Sequence, residues 1–247
     1  MSPPRLADMR RGAVAAALVV LAIAAVAAEA AQPGFRYGVA AAEVTARSAI
    51  LWTRAPAAGA VRLELVGEGS PPTVELSASP ANDLTASARV RGLRPATRYA
   101  YRFRQGSQVS ATGRFVTAPA AGADARVRFA ITGDADATPG SDGRPVWSFD
   151  VYARMAAERN DFNINLGDTM YSDSGVSGAT VARTVAQKWE KYRQELGQPQ
   201  LRALRRSAGL YSHWGDHEFV NDFSRPEHGN DLYRAGVAAF RAYSPVP

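Results

Sequence analysis

Three short apolar segments in the second half of this chain end in the same dipeptide, Gly-Asp. The segments are VRFAIT at 127–132, FNINL at 162–166 and LYSHW at 210–214, and they run into Gly133-Asp134, Gly167-Asp168 and Gly215-Asp216. Because the chain has 21 Gly and 13 Asp among 247 residues, chance alone predicts about one such pair. The repetition predicts three strands whose carboxyl ends each present an aspartate, at the edge where open α/β sheets bind ligands.

Helical patterns separate and follow these strands. The spacing of apolar residues predicts helices over 146–160, 180–196 and 232–243. The second helix carries one apolar stripe, which predicts the face that packs into the core: Val181, Val185, Trp189, Tyr192 and Leu196. Strands that alternate with helices indicate βαβ units and a largely parallel, buried sheet.

Three aspartates at one sheet edge would repel one another. Burial of an unpaired carboxylate is costly, and a multivalent cation would remove that cost. The chain has no Cys, so disulfides, zinc ribbons and thiol nucleophiles are excluded, and any metal is held by oxygen and imidazole. The alternative is that each aspartate only caps the helix that follows it. The three together favour a metal site at Asp134, Asp168 and Asp216.

Residues that follow the aspartates extend this candidate site. Tyr171 lies three residues after Asp168, and a phenolate is a hard anionic ligand suited to a trivalent cation such as ferric iron. His217 follows Asp216, where an imidazole can protonate a leaving oxygen or stabilise developing charge. Asp136 is either a further ligand or a turn former. The other histidines are predicted to have no role in the site: His213 and His228.

The first half has a different pattern, because short β-branched and aromatic runs separated by Gly, Pro, Asn or Asp predict strands. The candidate strands are 48–52, 61–66, 73–77, 86–90, 98–104 and 112–117. Their regular spacing favours an all-β sandwich over residues 35–118. Within it, residues 92–99 (GLRPATRY) resemble the turn and strand of fibronectin type III domains, where the leucine fills the core and the tyrosine packs at a corner. A linker at 119–126 leads to the α/β domain predicted over 127–247.

Residues 1–30 have the pattern of an export signal. Three arginines precede an apolar run at 13–28, and Ala28-Glu29-Ala30 forms a cleavage site. The run is shorter than the ~20 residues of a membrane span, and an uncleaved anchor is the alternative. Arg10-Arg11 hints at the twin-arginine route. We expect a periplasmic or extracellular protein with no stable membrane span after cleavage.

The charge of the chain is modest. The formal net charge is +6, and cleavage after Ala30 would remove three arginines and two acidic residues and leave +5, spread along the sequence. No basic block is interleaved with aromatic residues, so the sequence gives no support for nucleic-acid binding, and we expect no nucleic-acid partner.

The ordered motifs, with the β-rich region before them, resemble the PhoD alkaline phosphatase family of the calcineurin-like metallophosphoesterases. The resemblance rests on residues 35–54 (FRYGVAAAEVTARSAILWTR), 163–171 (NINLGDTMY) and 214–222 (WGDHEFVND). It implies a fibronectin-like domain followed by an α/β metallophosphoesterase domain, of which the chain holds the first half of a two-sheet αββα sandwich. It also implies export, commonly by the twin-arginine route.

The resemblance further implies a reaction and a role for each site residue. Phosphoesters of small molecules, polymers or lipids would be hydrolysed by a metal-activated hydroxide, with Fe³⁺ and Ca²⁺ as the metals and other divalent ions as an alternative. Asp134 and Tyr171 would bind iron, Asp168 would bridge the metals, and Asp216 would be a further ligand. His217 would be the catalytic proton donor or transition-state stabiliser.

Two departures from the family pattern affect these expectations. Asp134 stands where the family often has Cys, which keeps a negative ligand but makes it harder and changes the expected metal preference. The downstream Asp/His ligand motifs do not occur before Pro247, so we expect a fragment with an incomplete site. Two alternatives stay open: a non-enzymatic envelope or binding protein with a partial metal site, and a phosphodiesterase or phospholipase on the same scaffold.

Overall fold

The computed structural model describes residues 34–66 and 73–246. The predicted export signal at 1–30 lies outside these residues. Within the two described stretches, no helix is both long enough and apolar enough to cross a bilayer.

Eleven strands in the described residues form two sheets. Their bounds are β1 Val39–Ala42, β2 Ser48–Arg54, β3 Gly59–Val66, β4 Val74–Ala78, β5 Thr85–Arg91, β6 Arg98–Gln105, β7 Gln108–Val109, β8 Gly113–Val116, β9 Phe129–Thr132, β10 Phe162–Asn165 and β11 Gly209–Ser212. The larger sheet has the order β5-β2-β1-β11-β10-β9, and the smaller has the order β4-β3-β6-β7 with β8 paired to β6.

The larger sheet joins the two halves of the sequence. β9, β10 and β11 are parallel, as predicted, and β11 is also parallel to β1, with Ala41 opposite Gly209. On its other edge β1 pairs antiparallel with β2, and β2 with β5. The predicted α/β character and the parallel pairing of the three strands of the second half are therefore confirmed, but the sheet as a whole is mixed, because β1, β2 and β5 of the β-rich first half extend it with antiparallel pairs. The domain boundaries at 118 and 127 stay predictions.

Hydrophobic cores lie on both faces of this sheet. One core fills the space between the two sheets and is built from residues such as Leu51, Leu63, Tyr101 and Phe103. The other lies between the sheet and the helices, where Trp52 packs near Tyr192 and Tyr243. Alternation along β2 sends Leu51 to the first core and Trp52 to the second, and both are almost fully buried.

The turn that resembles a fibronectin type III corner has the expected packing. Leu93 is buried in the core between the sheets, and the Tyr99 hydroxyl accepts a hydrogen bond from the Arg94 amide at 2.9 Å. Such a bond ties a strand to the turn before it. Assignment of this region to the fibronectin type III class stays a prediction.

Two of the three predicted helices begin later than the apolar spacing predicts, at 150 and 185, and the third begins two residues earlier, at 230. The helices are α1 Asp150–Ala157, α2 Val185–Leu196, α3 Pro199–Ser207, α4 Arg225–His228 and α5 Asn230–Tyr243. A reciprocal cap starts α2 at Val185 rather than at 180, because the Thr184 hydroxyl accepts from the Gln187 amide while the Gln187 side chain accepts from the Thr184 amide. The sequence patterns missed α3, which opens on Pro199.

A charged cluster ties the helices to the β-rich region. The Asp83 carboxylate accepts hydrogen bonds from Arg54 at the end of β2, from Arg193 on α2 and from the Tyr243 hydroxyl on α5. Burial alone would raise the pKa of Asp83, but these hydrogen bonds and the two arginine charges outweigh it and hold the pKa below its ordinary value. Its negative charge therefore stabilises the fold.

Replacement of Asp83 by Asn tests this cluster. Asn tolerates the left-handed backbone of Asp83 (φ 54°), so the change removes charge with little strain. We expect the free energy of unfolding at pH 7 to fall by about 2–3 kcal/mol, because two partly buried arginines lose their carboxylate. Because the pKa of Asp83 is lower in the folded state, its carboxylate stabilises the fold at pH values above the unfolded-state pKa. This stabilisation is lost as the pH falls through the folded-state pKa, so the stability difference between the variant and the wild type should shrink below about pH 4.

Urea denaturation at pH 7 and pH 3 measures both effects. The control is Glu75→Gln, which breaks the exposed pair between Glu75 and Arg62 and should change stability by less than about 1 kcal/mol. Equal losses for the two variants at pH 7 would show that the Asp83 cluster does not stabilise the fold.

Candidate metal centre

The three Gly-Asp pairs lie beyond the carboxyl ends of three adjacent parallel strands. Backbone hydrogen bonds join the first two loops, with the Asp134 amide donating to the Gly167 carbonyl and the Ala135 amide to the Asp168 carbonyl at 2.8 Å. Asp134 and Asp168 adopt left-handed backbone conformations, with φ of 54° and 51°. The loops are therefore fixed to one another before any side chain contributes.

Two of the three glycines are required by close approach. A Cβ on Gly215 would lie 2.1 Å from Asp168 Oδ1, and a Cβ on Gly167 would lie 2.7 Å from the Gly215 amide nitrogen. Gly167 also has φ of +130°, which side chains rarely adopt. A Cβ on Gly133 would meet only the Gly167 carbonyl at 3.6 Å, an ordinary contact. The close approach of the second and third loops thus requires glycine at 167 and 215, whereas the first loop does not require glycine at 133.

Asp168, Asp216 and His217 form the centre of the site. One potential ligand atom from each lies within 4.8 Å of the other two. The Asp168 carboxylate also accepts a hydrogen bond from the His217 amide at 3.3 Å. Burial raises the pKa of Asp168, and the charges of Asp216 and Asp134 raise it further. The carboxylates therefore crowd one another in the way that a cation would relieve.

Asp134 and Tyr171 lie beside this centre and are joined to each other. The Tyr171 hydroxyl donates to Asp134 Oδ1 at 2.7 Å, and the Tyr171 ring stacks on His217 with centroids 4.0 Å apart. Burial, this hydrogen bond and the surrounding carboxylates raise the pKa of Tyr171. Without a cation the phenol therefore keeps its proton, and the Tyr171 hydroxyl and the Asp134 carboxylate are hydrogen-bonded to each other.

Asp136 and the two remaining histidines have local partners. Asp136 accepts hydrogen bonds from the Thr138 amide and the Ser174 hydroxyl, as a turn former does. His213 and His228 contact neighbouring backbone at exposed positions.

Sequence reasoning missed Asp173, which holds the imidazole. Asp173 Oδ1 lies 2.7 Å from His217 Nδ1, and its other oxygen accepts from the Asn221 amide at 2.6 Å. Burial alone would lower the pKa of His217, but Asp173, Asp168 and Asp216 together raise it above its ordinary value. In the sequence, the only indication that Asp173 belongs to the site is its position two residues after Tyr171.

Glu218, also missed as a functional residue, joins the second and third loops. Its fully buried carboxylate accepts from the amides of Asp168, Thr169 and Gly215 and from the Thr169 hydroxyl. Burial raises the pKa of Glu218, and these donors oppose that shift. Its position directly after His217 was the available signal.

Helix α2 supports the site with a buried face that is charged. Lys188 is fully buried and donates to the Ser172 hydroxyl and to the Glu218 and Phe219 carbonyls, and burial lowers the pKa of Lys188 to about 8. Glu195 accepts from the Ala137 amide at 2.7 Å. The predicted apolar stripe is only partly correct, because Val181 precedes the helix and Val185 and Trp189 are half-buried. Polar and charged side chains lie on this face because it packs against loops whose backbone N–H and C=O groups need hydrogen-bond partners.

The chemistry of these side chains fits a metal ion. The donors are carboxylates, an imidazole and a phenol, which suit hard or borderline cations. The gap into which Asp168 Oδ1 projects exists only because residue 215 lacks a side chain. Asp134, Asp168 and Asp216 also have no arginine or lysine partner among the hydrogen bonds of the described residues.

A cleft of about 660 Å³ opens beside the centre. Its lining includes Asp134, Tyr171, Asp173 and His217 on the polar side. The larger apolar and aromatic side chains of the lining are Trp147, Phe149, Val151, Tyr152 and Val176. The volume lies within the range of small-molecule sites.

Solved structures that are similar to this chain include two phosphatases. A structure of PhoD has a TM-score of 0.75 and 24% identity, and the match covers 88% of this chain and 47% of that one. Purple acid phosphatase PPD1 from yellow lupin (Lupinus luteus) seeds has a TM-score of 0.57 and 16% identity, with coverage of 85% and 40%. This chain spans less than half the length of either, and the likeness concerns the fold. Among curated proteins, no sequence matches significantly.

Family models match both halves of the sequence. The model of the PhoD-like phosphatase N-terminal domain matches residues 21–119, and that of the PhoD-like phosphatase matches residues 142–246. Together they cover most of the chain, in the order that the motifs predict. The chain belongs to the PhoD-like phosphatase family.

Proposed function

We propose that this chain is part of an exported, metal-dependent phosphoester hydrolase. The observation that carries the proposal is the group formed by Asp168, Asp216 and His217 within 4.8 Å, beside a cleft, in a member of the PhoD-like phosphatase family. The substrates would be phosphoesters of small molecules, polymers or lipids. The signal-like residues 1–30 support export, and Arg10-Arg11 supports the twin-arginine route.

The metals proposed are Fe³⁺ and Ca²⁺, held by Asp134, Asp168, Tyr171 and Asp216. The phenol of Tyr171 favours a trivalent ion, and the carboxylates suit either. The chemistry that bound cations supply is Lewis acidity, which withdraws charge from phosphoryl oxygens and favours deprotonation of the attacking water. To ligate, Tyr171 must give up the proton that it now donates to Asp134.

His217 is the proposed proton donor. Because Asp173 occupies Nδ1, Nε2 is the ring nitrogen left for a substrate oxygen. Stacking on Tyr171 fixes the plane of the imidazole, and His217 lines the cleft. The pair therefore resembles other active sites in which a carboxylate orients a catalytic imidazole.

Replacement of Asp168 by Asn tests the metal site. We expect bound iron to be lost and phosphate release to fall on the order of 100-fold or more, because metal ligation supplies several kcal/mol of charge stabilisation. Metal analysis and a phosphate-release assay measure the two effects. Asp231→Asn, at an almost fully exposed aspartate, is the control and should match the wild type. A metal-free Asp168→Asn protein with wild-type turnover would refute the proposal.

Alanine at two of the motif glycines tests the close approach of the loops. Gly215→Ala places a methyl group against Asp168 Oδ1 and should weaken iron binding roughly 10- to 100-fold, by analogy with loss of groups that orient metal ligands. Gly133→Ala has room and should bind within about twofold of the wild type. Titration with Fe³⁺, with circular dichroism as a check of folding, compares them. Equal affinities would contradict the steric argument.

Replacement of Asp173 by Asn tests the orientation of His217. We expect turnover to fall roughly 10- to 100-fold while the metal content stays at the wild-type value, because Asp173 touches the imidazole and not the metal side of the cluster. Asp124→Asn, in the exposed segment between β8 and β9, is the control. Loss of metal together with turnover would instead make Asp173 a part of the ligand shell.

A further inference from the structure

We propose that the phosphoester taken by this site carries an aromatic group on its alcohol, and that Trp147 is the residue that selects it. The inference rests on the proposed function and adds a substrate class to it. Trp147 lines the cleft that holds Tyr171 and His217, and its side chain is 61% exposed. An indole is a large flat surface suited to stacking on an aromatic ring.

The wall around Trp147 is apolar and is held by the first motif loop. Val151 lines the same cleft and is 53% exposed, and the buried ring of Phe149 lies 5.5 Å from that of Tyr152. The Tyr152 hydroxyl in turn donates to the Gly133 carbonyl. The start of α1 is therefore fixed beside Asp134, and Trp147 and Val151 are presented on the cleft side of a packed support.

Trp147 and Val151 differ from other exposed apolar residues of the described chain in that they line a concave site. Phe129 and Ile131 are also exposed, but they belong to the edge strand β9 and do not line this cleft. Exposed aromatic surface inside a concave site with convergent polar groups is typical of small-molecule binding.

The charges of the cleft explain why the organic group of the phosphoester, its alcohol part, must contribute to affinity. Asp134, Asp136 and Asp173 line it, and none of the described residues that line it is Lys or Arg. A phosphoryl dianion therefore meets carboxylates and a single imidazole, His217. Apart from cations, the cleft offers the phosphoryl group His217 and the hydroxyls of the lining, and the apolar wall is the surface that remains for the organic part of the substrate.

Binding of two stable phosphonates to the metal-loaded full chain tests the inference. Ethylphosphonate and 1-naphthylmethylphosphonate share the phosphoryl group and differ in the organic part, and titration calorimetry gives the ratio of their Kd values. We expect the naphthyl compound to bind at least roughly tenfold more tightly, and Trp147→Ala to remove most of that preference. Trp147→Phe keeps an aromatic face and should retain much of it. Phe129→Ala, at the exposed aromatic outside the cleft, should leave the ratio unchanged.

The outcomes separate this inference from the proposed function. Equal affinity for the two phosphonates, or a preference that survives Trp147→Ala, would overturn the inference. A Trp147→Ala protein with a lower Tm and an unchanged Kd ratio would also overturn it and make the indole a packing residue. Hydrolysis of ethyl phosphate and naphthyl phosphate is measured separately, and absence of both reactions would remove the proposed function whatever the phosphonates show.

Discussion

The candidate site depends on one buried carboxylate. Glu218 accepts three backbone N–H groups and a hydroxyl from the second and third motif loops, with no exposed surface. A buried donor left without its acceptor costs about 1–3 kcal/mol, and loss of Glu218 would leave several such donors without an acceptor at once. Because these donors lie next to Asp168 and Asp216, the same carboxylate that satisfies the backbone also sets the separation of the two candidate ligands.

The helix behind the loops completes this support. Lys188 donates to two carbonyls and a hydroxyl in the second and third loops, and Glu195 accepts from the first. These buried polar groups are tolerated because each faces loop backbone that would otherwise lack a partner. Burial raises the pKa of Glu195 well above its ordinary value, which favours the neutral carboxyl. The loops are thus held from the side of the helix, while Asp134, Asp168 and Asp216 repel one another, as the raised pKa of Asp168 indicates. A cation would resolve that repulsion.

Sequence patterns revealed the parts of this arrangement that repeat. Three Gly-Asp pairs after apolar runs predicted a common sheet edge, and the structure places Asp168, Asp216 and His217 together there. Asp173 and Glu218 were missed as functional residues because a single acidic residue has no period or spacing that reveals its partner. The apolar period of α2 identified a helix and, in Tyr192 and Leu196, part of its buried face. It did not identify Lys188 and Glu195, which are buried because they contact loop backbone. β1, with the sequence VAAA, has weak strand propensity and is a strand because β2 and β11 pair with it.

The pairing of β1 with β11 has a consequence for how the chain folds. Ala41 and Gly209 are neighbours in the sheet although 167 residues separate them in sequence. Contacts of such high sequence separation slow folding, because the entropy of closing the loop is lost before the contact is gained. During synthesis, the edge of β1 that faces β11 therefore stays open until nearly the whole described chain has left the ribosome. Premature release would expose that edge to pairing with another chain.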